Sequence, residues 1–256
     1  MKYSNGKTEK IRHFLGHVDR RTVLRSLVAG LVSVHISACR SGGKSEEIQE
    51  AISVLEHQSG GRLGVCVVGP HSEKPIGHRL NESFGMCSTF KLALAALILK
   101  ESQEGRLDLE SPVHYFEEDM VFYSPVTSKY LERGYMTVAE LAEATQKTSD
   151  NPAANLLLDL IGGPKGFTEL IREIGDTTTR LDRYEPEMNL VPVGEVRDTT
   201  TPLAMAATVQ KIMTGTLLSD ENKQLMRTWM EGTKTGLSRL RAGFPPGWSA
   251  GDKTGT

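Results

Sequence analysis

The pattern Ser-x-x-Lys occurs three times in the 256 residues, as Ser4/Lys7, Ser41/Lys44 and Ser88/Lys91. A serine hydroxyl is a weak nucleophile until a base takes its proton. An amine three residues further along a helix lies over the same face and can serve as that base. The first two copies fall in a basic N-terminal segment and in a Gly/Ser-rich linker. Ser88 instead opens the stretch 92–99, apolar on every side in the manner of a helix buried all round. A helix N-terminus also favours developing negative charge. Alone, the pair has a blander reading: a Ser cap followed by a Lys whose stem covers apolar surface. Two further motifs bear on the choice. Ser149-Asp150-Asn151 stands at a junction between two predicted helices, and Lys253-Thr254-Gly255 stands on a predicted terminal strand. A second Lys-Thr-Gly, at Lys234-Thr235-Gly236, follows a helix within a Gly-containing loop and is read as a decoy.

The elements that must position these groups follow from periodicity. After a linker at 41–45, residues 46–58 read as a helix with Ile48, Ala51, Ile52 and Leu55 on one face. Gly60-Gly61 ends it, a strand at 62–68 follows, and Pro70 to Pro75 turn the chain into a weaker strand at 76–80. Thr137-Val138-Ala139-Glu140 is a capping box opening a helix over 138–147. Pro152 suits the first turn of a helix over 153–161, which Gly162-Gly163 stops. Segments 164–174, 202–214 and 219–231 continue in helical period, and 247–256 reads as strand again. Two strands, a helical middle and a returning strand predict an α/β layer with a helical domain inserted into it.

Composition excludes whole classes. The chain is 38% hydrophobic and 24% charged with a formal charge of −2, unlike a disordered chain, a collagen-like repeat or a multi-pass membrane protein. The near-zero net charge offers no electrostatic reason for a nucleic-acid partner. The average hides an asymmetry. Within 1–38, seven cations (Lys2, Lys7, Lys10, Arg12, Arg20, Arg21, Arg25) face two anions (Glu9, Asp19), a net +5, so the rest of the chain carries −7. A basic stretch followed by the apolar run 27–38 is an export-signal pattern, too short to span a bilayer. Asp19-Arg20-Arg21-Thr22-Val23-Leu24-Arg25 matches a twin-arginine address, and Ile36-Ser37-Ala38-Cys39 a lipoprotein box in which Cys39 would be acylated. Export, with the protein periplasmic or lipid-anchored through Cys39 on the outer side of the inner membrane, is therefore expected. Cys66, inside an apolar run, reads as a small buried hydrophobe, and the chain has no disulfide framework. Its seven His residues form no ligand pattern, so neither a metal site nor a cofactor is predicted.

Ser-x-x-Lys, Ser-Asp-Asn and Lys-Thr-Gly in this order make the chain resemble the class A serine β-lactamases. The match runs through Met86-Cys87-Ser88-Thr89-Phe90-Lys91, Tyr123-Ser124-Pro125-Val126-Thr127 and Ser149-Asp150-Asn151. It continues through Arg183-Tyr184-Glu185-Pro186-Glu187-Met188-Asn189, Arg197-Asp198-Thr199-Thr200-Thr201-Pro202 and Gly251-Asp252-Lys253-Thr254-Gly255, covering the chain from about residue 46 to its end. The resemblance implies an α/β (α+β) fold of the serine β-lactamase/transpeptidase type, an antiparallel sheet flanked by helices with an inserted all-α domain. It implies a division into a signal segment (1–39), the first part of the α/β domain (40–85), a helical domain (86–231) and a return to the α/β domain (232–256). It also implies two further strands and a C-terminal helix beyond Thr256, without which these 256 residues are expected to be unstable or part of a longer protein.

The same resemblance implies the site. Ser88 Oγ attacks the lactam carbonyl, with Lys91, or Glu185 through a water, as base. The backbone N–H groups of Ser88 and Thr256 hold the oxyanion. Ser149 passes a proton to the leaving nitrogen beside the charge of Lys253. Asn151 bonds the substrate's side-chain amide, Tyr123 flanks the cleft, and Thr254, Gly255 and Thr256 line the carboxylate end. Residues 183–198 have few core-forming side chains, and Arg183 and Asp198 could close them into an Ω-loop by an ion pair. Within it Glu185 and Asn189 would hold a water against the acyl-ester, and Glu185–Pro186 is a candidate cis peptide. Arg239 resembles the arginine that some class A members send to the substrate carboxylate; a solvated surface Arg is the alternative. Cys87 has a counterpart that, in carbapenem-hydrolysing members, pairs with a Cys just after Lys-Thr-Gly-Thr, so the substrate spectrum stays open.

The partner expected is a small β-lactam, bound by a monomer without nucleic acid. Three alternatives stand beside this reading. Gly247-Trp248-Ser249-Ala250-Gly251 fits a nucleophile elbow, but no His occurs after His114 to complete a triad. A penicillin-binding protein or non-hydrolytic sensor shares the three core motifs but lacks the Glu185/Asn189 apparatus. An inactive fragment is the third alternative.

Overall fold

The computed structural model describes residues 41–69 and 74–256, with the side chains of 41–45 left out; the export segment and Cys39 lie outside the described residues. The chain first forms α1 (Ser41–Ser59), then β1 (Val65–Val67) and β2 (Ile76–His78), which pair antiparallel in the register Val65↔His78, Cys66↔Gly77 and Val67↔Ile76. Helix α1 starts within the expected linker rather than at residue 46. Gly42 and Gly43 weaken a helix by roughly 1 kcal/mol each but, unlike proline, do not break it. Both strands are shorter than predicted. Pro75, which lacks an N–H donor, stands immediately before β2. The pair is tight at Gly77, where a Cβ would lie 2.0 Å from the Val65 carbonyl oxygen.

A short strand β3 (Phe84–Gly85) leads into a 3-10 turn at Cys87–Thr89 and then α2 (Phe90–Gln103). From Phe90 through Glu101 every residue of α2 is buried, as its continuous apolar run predicts. The other elements of this region are β4 (Pro112–His114) paired with β5 (Tyr135–Thr137), α3 (Val138–Thr148), α4 (Asn151–Leu160), α5 (Gly163–Glu173), β6 (Thr199–Thr200), α6 (Pro202–Thr214) and α7 (Asp220–Glu231). All five helices α3–α7 pack on α2. Leu94, Leu97, Ile98 and Leu99 are fully enclosed, and burying each such side chain stabilises the fold by about 1.5–3 kcal/mol. The predicted capping box is present: Thr137 Oγ1 accepts from Glu140 N and Glu140 accepts from Thr137 N.

One expected element differs. Residues 247–256 belong to no strand, and only the three two-stranded sheets β1–β2, β3–β6 and β4–β5 form among the described residues. A strand exists only where a neighbour completes its ladder. Here the segment is held by side-chain contacts, as described below.

Candidate active site

Ser88 lies in the 3-10 turn just before α2, and Cys87 beside it takes a positive φ of 43°. The strand before this turn, β3, pairs with β6 (Phe84↔Thr200, Gly85↔Thr199), and Met86 N donates to the Asp198 carbonyl at 3.0 Å. One short ladder thus ties the turn carrying Ser88 to the end of the 183–198 loop. Lys91 follows one turn later on the same face, completely buried, and its Nζ donates to Ser88 Oγ at 3.0 Å.

The Ser149-Asp150-Asn151 motif is a helix–helix junction built from one residue of each kind. Ser149 ends α3 in the left-handed region (φ 65°). Asp150 caps α4, its Oδ1 accepting from Ala153 N at 3.0 Å. The same buried carboxylate accepts from Val126 N, Thr127 N and Thr127 Oγ1, bracing the segment that carries Tyr123. Asn151 Nδ2 donates to the Phe122 carbonyl at 2.8 Å, and its Oδ1 accepts from Lys91 Nζ, which also reaches the Ser149 carbonyl at 3.1 Å. Tyr123, with φ 69°, stands exposed at the rim.

The 183–198 loop is closed as its charges predict. Arg183 Nε donates to Asp198 Oδ2 at 2.6 Å, and Asp198 Oδ1 accepts from Asp182 N and Arg183 N at 2.7 and 3.0 Å. Met188 is fully buried, an apolar anchor within a loop otherwise poor in core residues. The Glu185–Pro186 bond is cis. Helix α4 holds the loop from below: Asn155 clamps the backbone of Glu185 on both sides (Nδ2 to Glu185 O 2.9 Å, Glu185 N to Oδ1 3.0 Å), and Tyr184 OH donates to Asp159 at 2.7 Å. Glu185 is thereby delivered to Ser88. Its Oε1 accepts from Ser88 Oγ at 3.2 Å and faces Lys91 Nζ at 2.8 Å, and its Oε2 accepts from Asn189 Nδ2 at 2.5 Å.

Lys253 arrives from the far side, and its Nζ donates to Ser149 Oγ at 3.0 Å. Gly255 passes so close to the Ser88 turn that a Cβ there would lie 2.9 Å from the Met86 carbonyl oxygen and 3.2 Å from Cys87 Cβ. Thr254 Oγ1 donates to Thr235 Oγ1 at 2.6 Å, so the decoy Lys-Thr-Gly packs against the other copy, and a Cβ on its Gly236 would collide with the Asp252 carboxylate.

Two amines and a carboxylate therefore share one nearly dry site. Burial pulls the Lys91 ammonium down from its ordinary value, against the opposing attraction of Glu185 and Asp150. Lys253 is lowered to about 7 by burial first and by the charge of Lys91 second. Cys87 is pushed up, by burial and then by Glu185, which makes it a poor thiolate.

Ser88, Lys91, Ser149, Asn151, Glu185, Asn189 and Lys253 form one continuous hydrogen-bonded set. Arg239 is not part of it: it is exposed, and its side chain has no hydrogen-bond or ion-pair partner among the described residues. Its neighbour Arg241 is the one tied to the Lys253 segment, through Asp252 Oδ1 at 2.8 Å. The elbow-like Ser249 is on an exposed loop, bonded to Glu231. No group of three or more His, Cys, Asp or Glu capable of holding a metal occurs among the described residues. Sequence reasoning missed Asn155, Asp150 as a brace, and Thr235. Asp150 was detectable as the cap preceding Pro152, whereas nothing local marks Asn155.

Residues 45–256 match the family model described as "Beta-lactamase enzyme family". The chain belongs to the class A β-lactamases. It is 41% identical over 237 residues to a β-lactamase of Citrobacter koseri, covering 92% of this chain and 80% of that one. Among solved structures, an ancestral (GNCA) class A β-lactamase matches with a TM-score of 0.79 at 50% identity, over 81% of this chain and 80% of the other. A β-lactamase from Xanthomonas campestris pv. campestris matches with a TM-score of 0.80 at 46% identity, over 83% and 79%. Class A β-lactamases are serine hydrolases of β-lactam antibiotics, and the α/β fold of these relatives is the one the chain adopts.

Proposed function

We propose that the chain opens the amide of penicillin- and cephalosporin-type β-lactams through an acyl-enzyme on Ser88, and so confers resistance. Ser88 Oγ forms a bond to the lactam carbonyl carbon while its proton passes to the Lys91–Glu185 pair, which acts as a unit. Backbone N–H groups of Ser88 and Thr256 stabilise the oxyanion, a type of contact worth about 3–4 kcal/mol per donor. The C–N bond then breaks, and Ser149 gives its proton to the leaving nitrogen and regains one through Lys253. Tyr123 and Asn151 line the substrate's side chain, Thr254 and Gly255 its carboxylate. Water, deprotonated by Glu185 and oriented by Asn189, hydrolyses the ester; the buried Asn189 Oδ1 has no partner among the described residues and is free to accept from that water.

The observation that carries this reading is Glu185 Oε1 lying within reach of both Ser88 Oγ and Lys91 Nζ. A penicillin-binding protein or sensor needs no such base for release. Mixing the protein with a chromogenic cephalosporin tests it. Continued turnover is expected, whereas one-to-one labelling without release, or no reaction, would refute it. Export of the chain is proposed on the basic, then apolar, first 38 residues, and cell fractionation checks it.

A further inference from the structure

Behind the Ser149–Lys253 contact lies a buried polar cluster that the mechanism above does not use. Thr145 and Gln146, in the last turn of α3, are fully buried, and Thr233, just after α7, is 2% exposed. Gln146 Nε2 donates to the Asp252 carbonyl at 2.9 Å and to Thr233 Oγ1 at 3.1 Å, and Thr233 Oγ1 donates to that same Asp252 carbonyl at 2.9 Å. Two side chains thus converge on the carbonyl immediately before Lys253. Gln146 is three residues ahead of Ser149 on one helix end, so a single side chain links the backbone carrying Lys253 to the backbone carrying Ser149.

Two facts argue that this link does more than fill space. The residue just before Lys253 is gripped at each polar position: these two donors on the Asp252 carbonyl, Arg241 on Oδ1, and Asp252 N donating to the Met230 carbonyl at 3.3 Å. The cluster is also costly. Gln146 Oε1 and Thr145 Oγ1 are buried without partners among the described residues, and each such group costs about 1–3 kcal/mol that an apolar side chain would not. Polar groups kept at such expense belong where geometry has to be specified.

We propose that Gln146 is a positioning residue for Lys253, holding the Asp252 carbonyl, directly and through Thr233, so that the Lys253 ammonium meets Ser149. This deepens the acyl-enzyme reading and rests on it. Ser149 and Lys253 serve acylation, and deacylation depends on Glu185 and Asn189, which are held by α4 and the 183–198 loop and do not touch Gln146. Loss of the link should therefore slow only the first step.

The test is pre-steady-state kinetics of the full chain with a chromogenic cephalosporin, comparing the parent with Gln146→Leu and Thr233→Val. The expected result is a fall in the acylation rate constant of about tenfold or more in Gln146→Leu, with deacylation unchanged, because an ångström-scale displacement of a reacting group carries penalties of that order. The Thr233→Val effect should be smaller and non-additive with it, since both donors hold one carbonyl. A smaller fall in acylation, or an equal fall in both steps, overturns the proposal. If Gln146→Leu does not fold, Thr233→Val carries the same comparison: any slowing confined to acylation supports the link, and none overturns it. A parent that is not acylated at all overturns the acyl-enzyme reading and this inference together.

Discussion

Replacing Glu185 with Gln keeps the shape of the side chain and removes its charge. In the parent both carboxylate oxygens face donors: Oε1 takes Ser88 and lies 2.8 Å from Lys91, and Oε2 takes Asn189 Nδ2. A glutamine has one acceptor oxygen, so its NH₂ must point at either Lys91 Nζ or Asn189 Nδ2, and no general base remains to deprotonate the hydrolytic water. A positioned general base contributes about 10²–10⁴ in rate, or roughly 3–5 kcal/mol at 1.36 kcal/mol per decade. Acylation should lose much less. Lys91 remains 3.0 Å from Ser88 Oγ, burial already lowers its proton affinity, and removing Glu185 lowers it further, so a neutral amine becomes available as the base. The slow step therefore shifts to ester hydrolysis. Stopped-flow mixing with a chromogenic cephalosporin should give a burst of one chromophore per protein followed by a phase about 10²–10⁴-fold slower than parent turnover, and intact-mass measurement should find the acyl adduct. Turnover within about tenfold of the parent with no adduct would refute the role of Glu185 in hydrolysis. A loss of the burst itself would refute the assignment of Lys91 as sufficient for acylation.

Two further perturbations test other parts of the site. Lys253 is held at about 7 by burial and by Lys91, so kcat/KM should fall as pH rises through that value, and Lys253→Arg, which stays charged, should lose this basic limb; an unchanged limb would assign it to another group. The same shift affects stability. Between about 7 and about 10.4 the unfolded chain holds a proton on Lys253 that the folded chain has shed, so stability rises with pH across that window, and urea midpoints of Lys253→Met should lack this contribution. Asp198→Ala strands Arg183 Nε and the N–H groups of Asp182 and Arg183. A loss of about 3 kcal/mol by urea unfolding is expected, near the lower end for a broken buried pair, because Arg183 is partly solvated and keeps its bond to the Leu190 carbonyl; a loss below about 1 kcal/mol would show that Met188 and the α4 contacts hold the loop without the ion pair.

Local chemistry determined the parts of this molecule that depend on local rules. The capping box at Thr137 and Glu140, the buried run of α2, Pro152 in the first turn of α4 and the Arg183–Asp198 closure all follow from spacing within one element or one loop, and all are present. Ser88 and Lys91 could be paired on paper because three residues of helix bring them together. The rest of the site is long-range. Glu185 reaches Ser88 across 97 residues, and Lys253 reaches Ser149 across 104. No periodicity encodes either contact; only resemblance to a family foretold them.

Tertiary structure alone decided what holds these groups in place. Asn155 clamps Glu185, Thr235 of the supposed decoy supports Thr254, Arg241 rather than Arg239 engages the Lys253 segment, and Gln146 with Thr233 grips its backbone. Each rests on hydrogen bonds between segments that meet only when α2 is surrounded by its five partner helices. The expected strand at 247–256 failed for the same reason in reverse: extended propensity is local, but a ladder needs a neighbour, and none lies beside it among the described residues.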